Sequence, residues 1–222
     1  MPFNAQIASG SSMILAGPTN CGKTTFAVEL IKQIYEIFDK AIDNVVVITP
    51  HKQSIYDELF RSGHVDEIIN TIQSFDDILK IAQRYKNIGG CILLRDDIAA
   101  SDLDSKLHLN KVFTEICHHY NLFCIFFTQN LYLNNPDYRT MSLNSAYLVL
   151  FKNPRDQRQI THLASSVAPL NTAFITQSFF NATQKAYSYL LMDFRQQTPN
   201  FLQLRTNILP HEAPMTIFVE RR

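Results

Sequence analysis

Short runs of apolar residues recur along the chain, and the gaps between them are long enough to hold helices. The runs are rich in β-branched and aromatic side chains and contain almost no polar residues. Strands that are apolar on both faces are typical of a parallel sheet enclosed between two layers of helices. The pattern therefore predicts buried strands at residues 13–15, 45–48, 91–94, 122–127, 147–151 and 189–192.

The segments between these runs have the spacing of amphipathic helices. Apolar side chains fall at steps of four residues from Phe26 through Leu30 to Phe38, which places them on one helix face. Residues 105–118 show a similar alternation of apolar and polar positions. Strands and helices in alternation predict βαβ units, and hence an α/β domain with a mainly parallel central sheet flanked by helices on both faces.

Length and composition fit one folded domain with small appendages. The chain has 222 residues and a mass of 25.5 kDa, with 46% apolar and 18% charged residues. Such a chain can bury a core and is not disordered by composition. We expect a flexible N-terminal arm over residues 1–11, the main domain over residues 12–194, and a partly ordered C-terminal extension over residues 195–222.

Charge and hydropathy exclude two broad classes of protein. The 20 basic and 20 acidic residues give a net charge of 0, which excludes a uniformly basic DNA-coating protein but allows a local basic patch. The longest uninterrupted apolar runs have six residues, whereas a membrane-spanning helix needs roughly 18. The first residues lack the features of a signal peptide. We expect a soluble protein made in the cytosol, with no membrane partner and with its four cysteines reduced.

A phosphate-binding motif occupies the turn between the first predicted strand and the first predicted helix. Residues 17–24 read Gly-Pro-Thr-Asn-Cys-Gly-Lys-Thr and match G-x-x-x-x-G-K-[ST] at every fixed position. Such a loop wraps a polyphosphate with backbone N–H groups and directs the positive end of the following helix at it. The predicted ATP-binding residues are Gly17, Pro18, Thr19, Asn20, Cys21, Gly22, Lys23, Thr24 and Thr25.

An acidic pair supplies the second part of a phosphoryl-transfer site. Asp96 and Asp97 follow the strand predicted at residues 91–94. We expect Lys23 to contact the β- and γ-phosphates, and Thr24 and Asp96 to hold Mg²⁺. Asp97 is the predicted catalytic base that polarises the attacking water. The alternative interpretation of the pair is a solvated acidic turn.

A polar cluster ends the strand predicted at residues 122–127. It consists of Thr128, Gln129 and Asn130. An amide at the tip of a buried strand can contact the γ-phosphate or orient the attacking water, which makes Gln129 a candidate catalytic residue. A turn-forming cluster is the alternative interpretation, and chemistry alone does not decide between the two.

Several stretches of the chain resemble the DNA-packaging ATPases of Maverick/Polinton elements and adintovirus-like viruses. The resemblance covers about residues 12–210. The Leu-Phe-Lys-Asn-Pro-Arg-Asp block at residues 150–156 is far more specific than the phosphate loop. The stretches that carry the resemblance are residues 17–24, 128–131, 142–156, 187–193 and 204–210.

These packaging ATPases are similar to the poxvirus-type genome-packaging ATPases of the FtsK/HerA superfamily. The resemblance implies a RecA-like (ASCE) P-loop NTPase fold, in which the Gln129 strand lies between the phosphate-loop strand and the Asp96 strand. It also implies an ATPase that uses ATP and Mg²⁺, forms a homo-oligomeric ring and threads double-stranded DNA into a capsid without reading the DNA sequence. The implied partners are a capsid protein or portal vertex, and the implied location is the host nucleus, a viral factory or the virion.

The resemblance bears on individual catalytic residues as well. Gln129 matches the strand-tip glutamine of the family, which favours its functional interpretation. Asp97 stands where related motors outside the family often carry Glu, so its shorter side chain would have to place the water closer. A ring motor also receives an arginine from the neighbouring subunit. Arg139, in the segment after the Gln129 strand, is preferred for that role over Arg155 and Arg158.

Two other functions stay open from the sequence. A small nucleotide kinase has a similar length and the same phosphate loop, but it would need an acceptor pocket and an arginine-rich lid. A nucleotide-dependent switch would dock on the capsid or DNA machinery and hydrolyse ATP slowly. Stimulation of hydrolysis by long duplex DNA, without phosphate transfer to nucleosides, would separate a motor from both.

Overall fold

The computed structural model describes residues 5–96, 107–132, 136–212 and 214–220, with the backbone alone at residues 136–138. Within these ranges the chain forms one nine-stranded sheet. Its strands are β1 (Ser12–Ala16), β2 (Asn44–Ile48), β3 (Glu67–Ile69), β4 (Cys91–Arg95), β5 (Leu122–Thr128), β6 (Tyr147–Phe151), β7 (Tyr189–Asp193), β8 (Leu204–Thr206) and β9 (Thr216–Ile217). Across the sheet the strand order is β3-β2-β4-β5-β1-β6-β7-β8-β9.

The larger part of the sheet, from β3 to β6 in that order, is parallel. β1 lies in its interior, with Met13 opposite Ile125 of β5 on one side and opposite Tyr147 of β6 on the other. β5 separates β1 from β4, as the RecA-like arrangement requires. Because parallel strands end at the same edge of a sheet, the loops after β1, β2, β4 and β5 meet there.

Burial of the sheet on both faces explains the apolar runs of the sequence. On β1, Ile14 packs into one apolar core, and Met13 and Leu15 pack into the core on the opposite face. All three side chains are at most 1% exposed. A strand enclosed in this way needs apolar residues at successive positions rather than at alternate ones. The predicted fold class is confirmed, and each predicted strand is present within one residue of its predicted ends.

The remaining edge of the sheet is antiparallel. β7 pairs with β6, β8 with β7 and β9 with β8, each in the antiparallel sense. The sequence pattern predicted β7 but not β8 or β9, and it also missed β3 at the opposite edge. Each missed strand has only two or three residues, which is too short to show a hydrophobic period.

The first predicted helix is interrupted. Helix α1 (Lys23–Lys32) ends at Lys32, and Gln33, with φ −116° and ψ 29°, separates it from helix α2 (Ile34–Ile37). Phe38 is extended, with φ −90° and ψ 150°, and forms a β-bridge with Ile7. The spacing could not reveal this break, since Phe38 is apolar and buried although it is not helical. The main helices are α1 (Lys23–Lys32), α2 (Ile34–Ile37), α3 (Ser54–Arg61), α4 (Phe75–Tyr85), α5 (Leu109–Lys111), α6 (Cys117–His119), α7 (Pro136–Leu143), α8 (Arg158–Val167) and α9 (Thr172–Ala182).

The helix predicted at residues 105–118 is present from Leu109 to His119, although residues 105 and 106 lie outside the described ranges. A π-helical turn (Val112–Ile116) joins α5 to α6 and buries three apolar side chains against the sheet. Throughout the described part of the chain, no helix combines the length and the apolar character needed to cross a bilayer.

A buried ionic network joins the antiparallel strands to the first described residues. The Asp193 carboxylate on β7 accepts a hydrogen bond from Arg205 Nη2 at 2.9 Å and one from Arg195 Nη2 at 2.8 Å. The Asp193 and Arg205 side chains are 0% and 1% exposed. Burial lowers the pKa of Arg205, and the Asp193 charge opposes that shift. Arg205 Nη1 also donates to the Ala5 carbonyl at 2.6 Å, so the network ties residue 5 to β7 and β8.

Candidate nucleotide-binding site

The phosphate loop leaves β1 at Gly17, where there is no room for a side chain. The Gly17 N–H donates to the Thr128 carbonyl at the end of β5, at 3.1 Å. A Cβ atom at Gly17 would lie 2.7 Å from Cys21 Sγ and 2.8 Å from Phe151 Cβ. Glycine is therefore required here because the loop closes tightly over the ends of β5 and β6.

Gly22 turns the loop into α1. Its φ of 111° lies in the left-handed region, which residues with a Cβ rarely adopt. The Gly22 carbonyl accepts the Phe26 N–H at 2.9 Å, which begins the hydrogen bonding of the helix. The free N–H groups of the first turn and the positive end of the helix dipole then face the loop, where an anion is stabilised.

Lys23 extends into the curve of the loop. Its ammonium donates to the carbonyls of Gly17 at 2.6 Å and Pro18 at 3.0 Å, and it lies 4.0 Å from Cys21 Sγ. Burial raises the pKa of the Cys21 thiol, and the Lys23 charge opposes that shift. The Cys21 thiol therefore stays protonated at neutral pH.

A cavity of about 730 Å³ opens in front of the phosphate loop. It lies at the edge where the parallel strands end, and its size is that of a small-molecule site. The loop and α1 contribute polar side chains to its wall, and the segments after β2, β4 and β5 contribute others. The residues that line it are Thr19, Asn20, Gly22, Lys23, Thr24, Thr25, Thr49, Pro50, His51, Gln53, Asp96, Phe127, Gln129 and Tyr187.

Two residues at the start of α3 hold Asp96 in this cavity. They are Gln53, which directly precedes the helix, and Tyr56 in its first turn. Its Oδ2 atom accepts a hydrogen bond from Gln53 Nε2 at 2.7 Å and one from the Tyr56 hydroxyl at 2.8 Å. Asp96 is only 8% exposed and Tyr56 only 1%. Burial and then the Asp96 charge raise the pKa of Tyr56 well above its ordinary value, and a contact with the Thr24 hydroxyl opposes that shift. Tyr56 therefore hydrogen-bonds to Asp96 and has Thr24 as a near neighbour.

The donor atoms at this end of the cavity suit magnesium. Thr24 offers a hydroxyl oxygen and Asp96 a carboxylate oxygen, and both residues line the cavity. Hard oxygen donors of this kind are what Mg²⁺ prefers, with water and phosphate oxygens completing its coordination. Asp96 and Thr24 each interact with Tyr56, which places the two side chains near each other. The described residues thus fit the predicted metal site.

The other predicted residues of the site have different outcomes. Gln129 is exposed at the end of β5 and lines the cavity. Gly17, Pro18 and Cys21 belong to the phosphate loop but do not line the cavity wall, whereas Thr25 does. Asp97, the predicted base, lies outside the described residues. Its role stays a prediction.

None of the three candidate arginines lines the nucleotide cavity of its own chain. Arg139 is exposed on α7 and lines a separate cavity of about 600 Å³. Arg155 and Arg158 are exposed just before α8 and at its first residue. An arginine that completes a neighbouring subunit's site would have to lie on the surface, so the assignment of that role stays a prediction.

Sequence reasoning gave no role to several residues of the site, among them Gln53, Tyr56 and Tyr187. Gln53 and Tyr56 belong to no motif, and only the position of α3 in the fold brings them to Asp96. Tyr187 was noted as part of a resembling stretch but was assigned no role. For the first two, the available signal was their position shortly after β2, since segments that follow a parallel strand meet at the functional edge of the sheet.

Several solved structures are similar in fold to this chain. The genome packaging NTPase B204 from Sulfolobus turreted icosahedral virus 2, in complex with AMPPCP, has a TM-score of 0.52 at 14% identity over 96% of this chain and 99% of that chain. ATPases 2 and 3 of Thermomonospora curvata EccC, in complex with a signal sequence peptide, have a TM-score of 0.46 at 14% identity over 63% and 29% of the two chains. The cytoplasmic domain of the type VII secretion ATPase EccC of that organism has a TM-score of 0.47 at 13% identity over 67% and 20%. No family profile and no curated protein sequence match the chain.

The sheet topology and the phosphate loop show that this chain has a P-loop NTPase fold. The likeness to B204 spans nearly the whole of both chains, and at 14% identity it bears on the fold alone. The strand order agrees with it, since β5 lies between β1 and β4 as in the ASCE arrangement. A glycine-rich turn joins β1 to α1 at the edge where that class binds phosphates.

Proposed function

We propose that the protein is an ATPase that moves double-stranded DNA into a capsid and works as a homo-oligomeric ring. The observation that carries the ATPase part is that Lys23, Thr24 and Asp96 line one cavity at the carboxyl edge of the sheet. These side chains supply a cation, a hydroxyl and a carboxylate, which are the groups that in-line phosphoryl transfer needs around a triphosphate.

Each residue of the site would have a distinct role in ATP hydrolysis. Lys23, whose ammonium is held by the carbonyls of Gly17 and Pro18, would exchange those bonds for the β- and γ-phosphate oxygens. Thr24 and Asp96 would hold magnesium, which when bound neutralises charge on the phosphates. Gln129 at the strand tip, together with the predicted base at position 97, would orient the attacking water.

The DNA-packaging part of the proposal rests on resemblance. The sequence resembles viral and transposon packaging ATPases from about residue 12 to residue 210, and B204, which shares the fold, is itself a genome packaging NTPase. We propose an ATPase domain over residues 12–194, with an arm at residues 1–11 and an extension at residues 195–222. The partners would be duplex DNA and a capsid protein or portal vertex, in the host nucleus, a viral factory or the virion.

The first experiment tests the nucleotide site. Lys23→Ala removes the ammonium from the loop, and we expect ATP hydrolysis to fall by about 10²–10³-fold, as when a group that stabilises transition-state charge is removed. Lys32→Ala on the same helix is the matched control, because its side chain is 43% exposed and pairs with Glu29 at the surface. Circular dichroism should be unchanged in both variants. Wild-type rates in Lys23→Ala would refute the site.

The second experiment tests the motor. ATP hydrolysis is measured with and without long linear duplex DNA over a range of protein concentrations. If neighbouring subunits complete each other's sites, the rate per subunit should rise with concentration and rise again with DNA. Slow hydrolysis that neither DNA nor concentration changes would support a switch instead, and transfer of phosphate to nucleosides would support a kinase.

A further inference from the structure

The segment before β7 reaches the nucleotide cavity from the side opposite Asp96. β7 runs antiparallel to β6, and its first residue, Tyr189, lies opposite Phe151, the last residue of β6. The start of β7 is therefore at the edge where the parallel strands end. β4 and β7 each lie two strands from β1, in opposite directions. Tyr187 and Asp96 accordingly line the same cavity on opposite sides of the phosphate loop.

Tyr187 has a backbone conformation that large side chains rarely adopt. Its φ is 65°, within a turn in which the Ser188 N–H donates to the Lys185 carbonyl at 3.4 Å. For a bulky residue a positive φ is an outlier that the surrounding structure must hold in place, and such residues cluster at ligand sites. The turn brings Tyr187 against the loop, since a Cβ at Gly22 would lie 3.3 Å from Tyr187 Cβ.

The hydrophobic core does not account for the aromatic ring of Tyr187. The residue is 71% exposed, whereas its neighbours Tyr189 and Phe151 are each 2% exposed. An exposed aromatic ring beside a polar cavity is a platform on which a flat ligand group can stack. All four nucleobases stack on such rings, because every base has a π-face. A ligand in the cavity would explain both the exposed ring and its backbone conformation.

We propose that Tyr187 forms the base end of the nucleotide site, where its ring stacks on the nucleobase of a bound nucleoside triphosphate. The inference rests on the proposed function, which places the phosphates against Lys23 and Thr24. The loop fixes one end of the ligand and the tyrosine ring fixes the other. Because stacking adds affinity through the base alone, its contribution can be measured separately from that of the phosphates.

The test compares the binding of ATP and of inorganic tripolyphosphate to the full chain, both with Mg²⁺, by titration calorimetry. Tyr187→Asn removes the ring but keeps a residue that tolerates a positive φ, and Tyr187→Phe keeps the ring. We expect Tyr187→Asn to weaken ATP binding about tenfold and to leave tripolyphosphate binding unchanged. Tyr187→Phe should bind both as the unaltered protein does. Tyr35→Asn, at a residue that is 72% exposed on α2, is the matched control and should change neither affinity.

Two results would overturn the inference. One is an ATP affinity of Tyr187→Asn equal to that of the unaltered protein. The other is an equal loss of affinity for ATP and tripolyphosphate, which would mean that Tyr187 acts on the phosphate loop. Lys23→Ala keeps the two proposals apart. If it weakens neither ligand, the proposed function fails. If it weakens both while Tyr187→Asn changes neither, only the stacking inference fails.

Discussion

The hydroxyl of Tyr56 interacts with both side chains that we propose hold magnesium. It donates to Asp96 Oδ2 at 2.8 Å and also contacts the Thr24 hydroxyl. Burial, reinforced by the Asp96 charge, raises the pKa of Tyr56 well above its ordinary value, so the hydroxyl is protonated at neutral pH. Tyr56 is therefore a hydrogen-bond donor, and it fixes the orientation of the Asp96 carboxylate before any ligand binds.

Removing that hydroxyl should destabilise the protein. We expect Tyr56→Phe to lower the free energy of unfolding by about 1.5–3 kcal/mol, because a buried hydrogen bond to a charged group is lost. Urea denaturation measures the change, and Tyr35→Phe is the control, since Tyr35 is 72% exposed. Equal stability of the two variants would mean that the Tyr56 hydroxyl does not hold Asp96.

At the scale of elements, the antiparallel strands are joined by a buried ionic network in which Asp193 faces Arg195 and Arg205. Asp193 of β7 and Arg205 of β8 are 0% and 1% exposed and 2.9 Å apart. Taking two charges out of water is costly, and their mutual attraction offsets that cost only while both are present. The pair therefore makes the pairing of β7 with β8 sensitive to the loss of either charge.

Asp193→Asn keeps the shape of the side chain and removes its charge. We expect the free energy of unfolding to fall by about 3–5 kcal/mol, because Arg205 would be left buried with an uncompensated charge. The control is Glu67→Gln. Glu67 pairs with Arg84 at 2.8 Å, and both side chains are exposed, so the loss of this ion pair should cost about 0–1 kcal/mol. Urea denaturation that gave the same loss for both variants would contradict the prediction.

For the whole molecule, the proposed homo-oligomeric ring requires each subunit to supply a residue to its neighbour. Arg139 is exposed on α7 and lies outside the nucleotide cavity of its own chain, so within one subunit it has no part in the site. An arginine supplied in trans stabilises transition-state charge and contributes about 10³–10⁵ in rate. The effect of Arg139 should therefore depend on which subunit carries the substitution.

Mixed assemblies test this dependence. Arg139→Ala and Asp97→Asn subunits should each be inactive alone, and their mixtures should regain part of the ATPase activity, because some interfaces then pair an intact arginine with an intact acidic residue. ATPase assays over a series of mixing ratios measure the recovery. No recovery at any ratio would count against action in trans by Arg139.

The sequence predicted those parts of the molecule that depend on local pattern. The phosphate loop has fixed spacing, and Asp96 follows a strand whose apolar run marks it as buried, so both could be located along the chain. The break at Gln33 could not, because helical spacing continues through it to a buried Phe38.

The contacts of Asp96 depend instead on which segments the topology brings together. Gln53 and Tyr56 belong to a helix after a different strand, and no spacing rule connects them to residue 96. Tyr187 reaches the loop only because β7 reverses direction beside β6. Sequence pattern locates each strand, whereas the order and direction of the strands decide which side chains share the cavity.

The interior position of β1 has a consequence for synthesis of the protein. Both strands that pair with β1 come from the second half of the chain, with Cys124 opposite Ser12 and Tyr147 opposite Met13. Contacts so distant along the chain form late, and a ribosome releases the phosphate loop long before either partner exists. The cavity at the phosphate loop forms only after most of the polypeptide has emerged, so the nucleotide that we propose it binds cannot assist the early folding of the nascent chain.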